Sequence, residues 1–228
     1  MRLRRIVGAA AVTVVLVQCA PPPAPPAPTP ATPAPSPTTQ VPQPPTVRAV
    51  TAEELGATWR PECPVRPEQL RRVELDHWGF DGRLHRGELV VDADITDAVI
   101  EVFAQLTALR FPIEKMRSAN HYRGAEDELS MRDNNTSAFN CRGIPGSTSW
   151  SWHAYGRAVD INPRINPYVD SRGHIEPANG APWLDRTRRD TGMLHDGDPA
   201  VEAFVDRGWR WGGHWHTPLD YQHFELRA

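Results

Sequence analysis

Lysine is almost absent from this chain of 228 residues, and cysteine occurs only three times. Lys115 is the one lysine among 25 basic residues, and position 112, three residues before it, is proline. A serine peptidase with a Ser-x-x-Lys pair as nucleophile and base is therefore excluded. The formal net charge of −3 also argues against a nucleic-acid partner held by bulk positive charge.

Long hydrophobic runs are also missing. The apolar stretch Ile6–Val17 follows an arginine-rich start and is too short for a comfortable transmembrane helix, so residues 1–19 predict an export signal. Leu16–Cys19 resembles a bacterial lipoprotein processing box in which Cys19 would be lipidated, although Gln18 departs from the small residue usual there. An uncleaved or differently cleaved signal is the alternative. Either way we expect the folded part outside the cytoplasm, held to the membrane by a lipid or signal anchor or secreted into the cell-wall space.

The two remaining cysteines, Cys63 and Cys141, are candidates for a disulfide in an oxidising compartment. A link that closes so long a loop would contribute about 4 kcal/mol by the loop-entropy model. Two free buried thiols are the alternative. A role in zinc binding is less favoured, because the sequence has no C-x-x-C spacing.

Residues 20–47 carry no charge, and 13 of these 28 residues are proline. This composition predicts a disordered tether rich in polyproline II for residues 20–50, followed by a folded domain at residues 51–228. Helical and strand patterns both occur in that domain, without repeats, so we expect a small α+β fold. The individual elements expected are a helix capped by Thr51 and Glu54, a strand at 87–91, a helix capped by Asp94 and ended by Pro112, a helix from Asp198 to Gly208, strands at 209–211 and 221–226, and long loops between 162 and 196.

Two distant segments combine residues suited to a metal site. His153 and Asp160 are seven residues apart with small residues between them, and Asp220 and His223 are three apart near the C-terminus. Catalytic zinc commonly takes three protein ligands and leaves a fourth position open, so one carboxylate remains as a general base. Each segment alone is a weak signal, because a lone histidine is more often structural.

Six segments follow one another along the chain with recognisable motifs: Phe111–Lys115, Ser130–Arg142, Ser151–Pro163, Asn166–Tyr168, Gly208–Gly213 and Asp220–Glu225. In this order they resemble the M15 zinc peptidases, which include D-alanyl-D-alanine carboxypeptidases and dipeptidases and L-alanyl-D-glutamate endolysins. The resemblance extends over about residues 75 to 226.

The resemblance implies a role for each matching residue. His153, Asp160 and His223 would bind Zn²⁺, Asp220 would be the catalytic carboxylate, and Arg142 would contact the reacting carbonyl group. The residues expected to contact substrate are Ser151, Tyr155 and Trp211. The implied fold is the small hedgehog/D,D-peptidase type with an antiparallel sheet, and the implied partners are peptidoglycan stem peptides, bound by a monomer.

The sequence leaves several alternatives open for the function and for individual residues. The resemblance favours a D-Ala-D-Ala carboxypeptidase, but an L-Ala-D-Glu endopeptidase would use the same catalytic set. A hedgehog-like zinc-containing binding module without catalysis is the alternative of another class. Arg142 could instead form a structural ion pair. His214 and His216 depart from the aspartate that relatives often carry there, and we expect them to be exposed loop residues and not zinc ligands.

Overall fold

The computed structural model describes residues 40–144 and 146–227. The predicted signal at 1–19, the lipidation site Cys19 and the tether up to residue 39 lie outside the described residues, so those predictions are untested. Within the described ranges, none of the helices combines the length and the apolar character needed to cross a membrane.

The described residues combine helices with short and long strands. The α-helices are α1 (Ala52–Leu55), α2 (Thr96–Ala108), α3 (Asp127–Arg132) and α4 (Pro199–Val205). The strands are β1 (Thr46–Ala49), β2 (Leu70–Trp78), β3 (Leu84–Asp92), β4 (Lys115–Met116), β5 (Asn135–Thr136), β6 (Ala158–Asp160), β7 (Tyr168–Val169), β8 (Ile175–Glu176), β9 (Arg210–Trp211), β10 (Leu219–Asp220) and β11 (His223–Glu225).

Antiparallel pairing dominates the sheets. Three three-stranded antiparallel sheets have the orders β1-β2-β3, β10-β7-β8 and β6-β11-β9, and β4 pairs with β5 in parallel. A mixed helix and antiparallel-sheet architecture, as predicted, is therefore confirmed. The more specific hedgehog/D,D-peptidase type stays a prediction.

The main core lies between the long hairpin β2–β3, the two longest helices and the β6-β11-β9 sheet. Phe204 of α4 stacks on Phe224 of β11 with ring centroids 3.9 Å apart, and it meets Phe103 of α2 edge-on at 6.4 Å. These contacts fix β11, which carries His223, against the helices. A smaller core on the other side of the hairpin includes Leu55, Phe139 and Cys141.

Several local predictions hold in detail. Thr51 and Glu54 form the expected capping box at the start of α1, and Pro199 opens α4 after the N-cap Asp198. The predicted strands at 87–91, 209–211 and 221–226 overlap with β3, β9 and β11. The long region at 162–196 contains only the two-residue strands β7 and β8 and a 3₁₀ segment.

Two local predictions need correction. Asp94 does not cap α2: the side chain of Asp92 accepts a hydrogen bond from the Asp94 backbone N–H and caps a 3₁₀ turn that leads into the helix. Ordered structure also begins before residue 51, because β1 pairs with β2 from Thr46 to Ala49. The prolines directly before β1 made this part of the sequence resemble the tether, so the strand was not predicted.

Candidate active site

Three predicted ligands meet in the protein interior. Asp160 and His223 are directly opposite each other in the antiparallel pair β6–β11, and His153 reaches them from the 3₁₀ turn Trp152–Tyr155. Their ligand atoms all lie within 4.8 Å of one another, and all three side chains are buried. The Nε2 atom of His153 is 3.2 Å from Nδ1 of His223 and 3.1 Å from Oδ2 of Asp160.

Local sequence explains how His153 and Asp160 approach each other. The hydroxyl of Ser151 accepts the His153 backbone N–H and so caps the 3₁₀ turn. Gly156 ends that turn with φ +67°, and a Cβ there would lie 2.6 Å from the backbone nitrogen of Asp92. Glycine is therefore required both by the left-handed backbone and by the close approach of β3. The chain can then turn into β6 and bring Asp160 back beside His153.

The hydrogen bonds of the two imidazoles leave acceptor atoms facing each other. Nδ1 of His153 donates to the carbonyl oxygen of Ala138 at 2.6 Å, and Nε2 of His223 faces Oε2 of Glu225 at 3.5 Å. The other nitrogen of each ring then presents a lone pair towards the Asp160 carboxylate. Such a group of acceptors repels itself unless a proton or a cation lies among them, and outward donation to carbonyl or carboxylate groups is typical of metal-binding histidines. The donor set fits a metal ion.

The pKa shifts of the cluster residues are those of a site that stabilises a positive charge. Burial disfavours a charged His223, but the hydrogen bonds to Asp160 and Glu225 prevail and raise its pKa to about 10. Burial likewise opposes the charge on Asp160, and His153 and His223 nevertheless hold its pKa well below its usual range. Without a metal, the cluster retains a proton in its place.

The cluster lies at one side of a cavity of about 450 Å³, which Asp220 also lines. Oδ1 of Asp220 is buried and has no hydrogen-bond partner among the described residues. Burial raises the pKa of Asp220 to about 6, with Asp160 adding to the rise and His223 opposing it. Gly212 packs against the backbone of Asp220 so closely that a Cβ at position 212 would lie 2.5 Å from the Asp220 carbonyl oxygen. Asp220 is thus a firmly positioned carboxylate beside the cluster and not part of it.

Arg142 lines the same cavity and forms an ion pair with Asp127 at the start of α3, with Nη2 and Oδ2 2.8 Å apart. Burial opposes its charge, but Asp127, Asp160, Asp220 and Glu176 together raise the pKa of Arg142. The predicted alternative of a structural ion pair and the predicted position in the site are therefore both observed. A guanidinium held by one carboxylate keeps other N–H donors for a ligand, and Nε of Arg142 has no partner in the described part of the chain.

The predicted disulfide is present and adjoins Arg142. Cys63 and Cys141 are bonded with their Cα atoms 5.8 Å apart. The same connection is reinforced by the Cys141 backbone N–H, which donates to the Thr58 carbonyl at 3.0 Å, and by Arg60, which donates to the Cys141 carbonyl at 2.6 Å. The segment that carries Arg142 is therefore fixed to the N-terminal part of the domain.

The residues predicted to contact substrate have different environments. Ser151 lines the cavity. Tyr155 instead packs against the smaller core, and Trp211 is 3% exposed in the main core, where its indole N–H donates to the Tyr221 carbonyl. Because neither ring lines the cavity, their role in substrate binding stays a prediction without support from the geometry.

His214 and His216 are exposed and lie outside the cluster, as expected. His214 pairs with Asp196 at 2.7 Å. The indole between them, Trp215, lines the cavity with its ring centroid 5.5 Å from that of His223. The departure from the family pattern therefore changes the rim of the cavity and not the metal ligands.

Sequence reasoning missed part of the cavity wall. The additional lining residues with ionisable or amide side chains are Asp127, Tyr168, Asp170, His174, Glu176, Gln222 and Glu225. Tyr168 and Gln222 stand inside the motifs that carry the resemblance, which is a signal that could have identified them. Glu176 and Asp127 come from a hairpin and a short helix whose placement no local pattern indicates.

Comparison with known proteins agrees with this geometry. The family described as D-alanyl-D-alanine carboxypeptidase, an M15 peptidase family, matches residues 145–226. Comparison with curated proteins and with solved structures found no match. The matched segment contains all three residues of the buried cluster together with Asp220. This match supports the assignment of the chain to the M15 peptidases.

Proposed function

We propose that this protein is a zinc-dependent peptidase that hydrolyses peptide bonds in peptidoglycan stem peptides outside the cytoplasm. The observation that carries the proposal is the buried His153, Asp160 and His223 cluster, whose ligand atoms lie within 4.8 Å of one another at the side of an open cavity. Two imidazoles and one carboxylate are a donor set that zinc accepts, and they leave a further position on the side of the cavity.

These three residues would hold the zinc ion. When bound, zinc supplies Lewis acidity, which lowers the pKa of a water molecule to about 7 and polarises a carbonyl oxygen. The hydrogen bond from His153 to Ala138 and the contact of His223 with Glu225 orient the two rings for this purpose.

In this proposal, Asp220 transfers the protons. Its buried carboxylate has a free oxygen and a pKa of about 6, so it can both accept and return a proton near neutral pH. We propose that it takes a proton from the attacking water and delivers it to the nitrogen of the leaving amine. The net reaction adds one water across the C–N bond and leaves Asp220 unchanged.

Arg142 would stabilise the negative charge that develops on the carbonyl oxygen. Its guanidinium is always charged and is held in place by Asp127 at 2.8 Å, so it needs little reorganisation during the reaction. The disulfide between Cys63 and Cys141 supports this position through the neighbouring residue.

Two bonds in the stem peptide are candidates for cleavage. The description of the matching family favours D-Ala-D-Ala carboxypeptidase activity. One observation favours the second candidate, an L-Ala-D-Glu or other internal cleavage. Arg142 is the only lysine or arginine that lines the described cavity, and it is already paired with Asp127, so a terminal carboxylate finds no further cation.

Digestion of purified muropeptides by the zinc-loaded protein, followed by mass spectrometry, tests the proposal. Loss of one terminal alanine identifies the carboxypeptidase, and two internal fragments identify the endopeptidase. Metal analysis should give about one zinc per chain, and His153→Ala should lose both zinc and activity. A protein that binds zinc but cleaves no stem peptide would instead be a binding module, and a fully active metal-free protein would reject the proposal.

A further inference from the structure

Carboxylates are aligned along one wall of the cavity. Across the sheet β10-β7-β8, Asp220 is directly opposite Tyr168, and Tyr168 is directly opposite Glu176. Directly opposed residues in antiparallel strands project to the same face. Asp170 follows two residues after Tyr168 and lines the cavity as well. We call Asp170, Glu176 and Asp220 the acidic wall.

The strand geometry gives the distance between the catalytic end and the far end of this wall. Neighbouring strands are about 4.8 Å apart, so the backbone of Glu176 lies about 10 Å from that of Asp220. An extended peptide advances about 3.3 Å per residue, so this distance corresponds to about three residues of a bound substrate. Glu176 therefore faces a part of the substrate close to the cleaved bond but separate from it.

Positive charge does not balance this wall from within the protein. Six carboxylate side chains line the cavity, and Arg142 is the only guanidinium or ammonium group among its described lining residues. Arg142 is bonded to Asp127. The neighbour of Glu176 is the exposed His174, whose Nδ1 is 3.6 Å from Oε1 of Glu176. Oδ1 of Asp170 accepts hydrogen bonds from the backbone N–H groups of Arg172 and His174. These bonds stabilise the turn between β7 and β8 but bring no positively charged group to the wall.

A separate observation also indicates a ligand that donates hydrogen bonds. Gln222 lines the same cavity and is 2% exposed, yet its Oε1 has no hydrogen-bond partner within the described ranges. A buried amide oxygen without a hydrogen-bond partner is unfavourable, so a donor from outside the protein is expected to satisfy it. Oδ1 of Asp220 is likewise buried and has no hydrogen-bond partner within the described ranges.

We propose that the acidic wall is a subsite for a primary ammonium group of the substrate, carried by a residue about three positions from the cleaved bond. Glu176 would pair with the ammonium group, and Gln222 would accept an N–H of the substrate backbone. This inference rests on the proposed peptidase function and adds to it the class of substrate side chain. The wall would favour stem peptides with a free side-chain amine over those in which that amine is blocked.

The test compares peptide pairs that differ only in one amine. The zinc-loaded full chain is given stem peptides with lysine two or three positions from the cleaved bond, and the same peptides with the lysine amine acetylated, which removes its charge. We expect kcat/KM to be about fivefold higher for the free amine, mainly through KM, because the ion pair is partly exposed. The preference should decline as salt is added.

Two variants locate the effect. Glu176→Gln should reduce the preference to less than about twofold, mainly by raising KM for the free-amine peptide. Glu101→Gln, the same change on the exposed face of α2, should keep the preference. Equal cleavage of both peptides by the wild-type protein would overturn the subsite and leave the peptidase function intact. A preference that survives in Glu176→Gln would also overturn it. Cleavage of neither peptide would overturn both proposals.

Discussion

The two aspartates of the site differ sharply in their surroundings. Asp160 lies 3.1 Å from Nε2 of His153 and 3.0 Å from Nδ1 of His223, and these two imidazoles keep its pKa low despite burial. Asp220 has one oxygen without a partner and a pKa raised to about 6, first because of burial and then because of Asp160. Residue type alone does not distinguish these two carboxylates, whereas their contacts do, and the contacts support the proposed roles of Asp160 as a ligand and Asp220 as a base.

Replacing Asp220 by asparagine tests this separation. Asp220→Asn keeps the shape of the side chain but removes proton transfer, so we expect kcat to fall by about 10²- to 10⁴-fold with zinc content unchanged. Steady-state kinetics and metal analysis measure both effects. Asp206→Asn, an exposed aspartate on the far end of α4, is the matched control and should behave as wild type. Loss of the metal in Asp220→Asn would mean that Asp220 is a ligand.

At the scale of elements, prediction from sequence succeeded where a local rule determines the result. The capping box at Thr51 and the N-terminal proline of α4 depend only on neighbouring residues, and both are observed. The cap predicted at Asp94 was wrong because Asp92, two residues earlier, accepts the Asp94 backbone N–H and caps a 3₁₀ turn that contains Asp94 and leads into α2. The ligand residues were identified from motifs, but their pairing across β6 and β11 depends on contacts 63 residues apart in sequence.

The disulfide between Cys63 and Cys141 should affect both stability and activity. It closes a loop across a separation of 78 residues, so the double variant Cys63→Ser/Cys141→Ser should lose about 4 kcal/mol of unfolding free energy by the loop-entropy model. Because Arg142 follows directly, we also expect a lower kcat at temperatures where the variant remains folded. Denaturant titration and kinetics measure the two effects. Unchanged stability and kcat would contradict this role.

At the scale of the whole molecule, the cavity could not be derived from sequence. Its walls come from α3, the 3₁₀ turn at 152–155, the β7–β8 hairpin and the C-terminal strands. Each segment is short, and its position depends on the packing of α2 and α4 against the sheets. The motifs therefore predicted which residues form the buried cluster, whereas the charge of the cavity follows only from the assembled fold.

Acid should weaken the folded state through His77. This residue is buried, and burial lowers its pKa below the ordinary value of 6.5, while Nδ1 contacts the Ile113 carbonyl at 3.1 Å. The unfolded chain then binds more protons than the folded one, so stability is complete above about pH 6.5 and is lost as the pH falls towards the folded-state pKa.

Urea denaturation at pH 7.5 and pH 5.5 measures this loss. Between the two pH values, the unfolding free energy of the wild type should fall by more than that of His77→Gln, because only the wild type has the buried imidazole whose pKa is lowered. The comparison removes the contribution of the zinc-site histidines, which both proteins share. An equal loss in the two proteins would contradict the assignment.

The direct pairing of Asp160 with His223 makes metal binding sensitive to strand register. A slip of β11 by one residue would leave Gln222 or Phe224 opposite Asp160 and turn the imidazole to the other face of the sheet. A bound ion would then disfavour every mispaired arrangement of the C-terminal strand. Metal binding would thus select the correct fold as well as supply the chemistry.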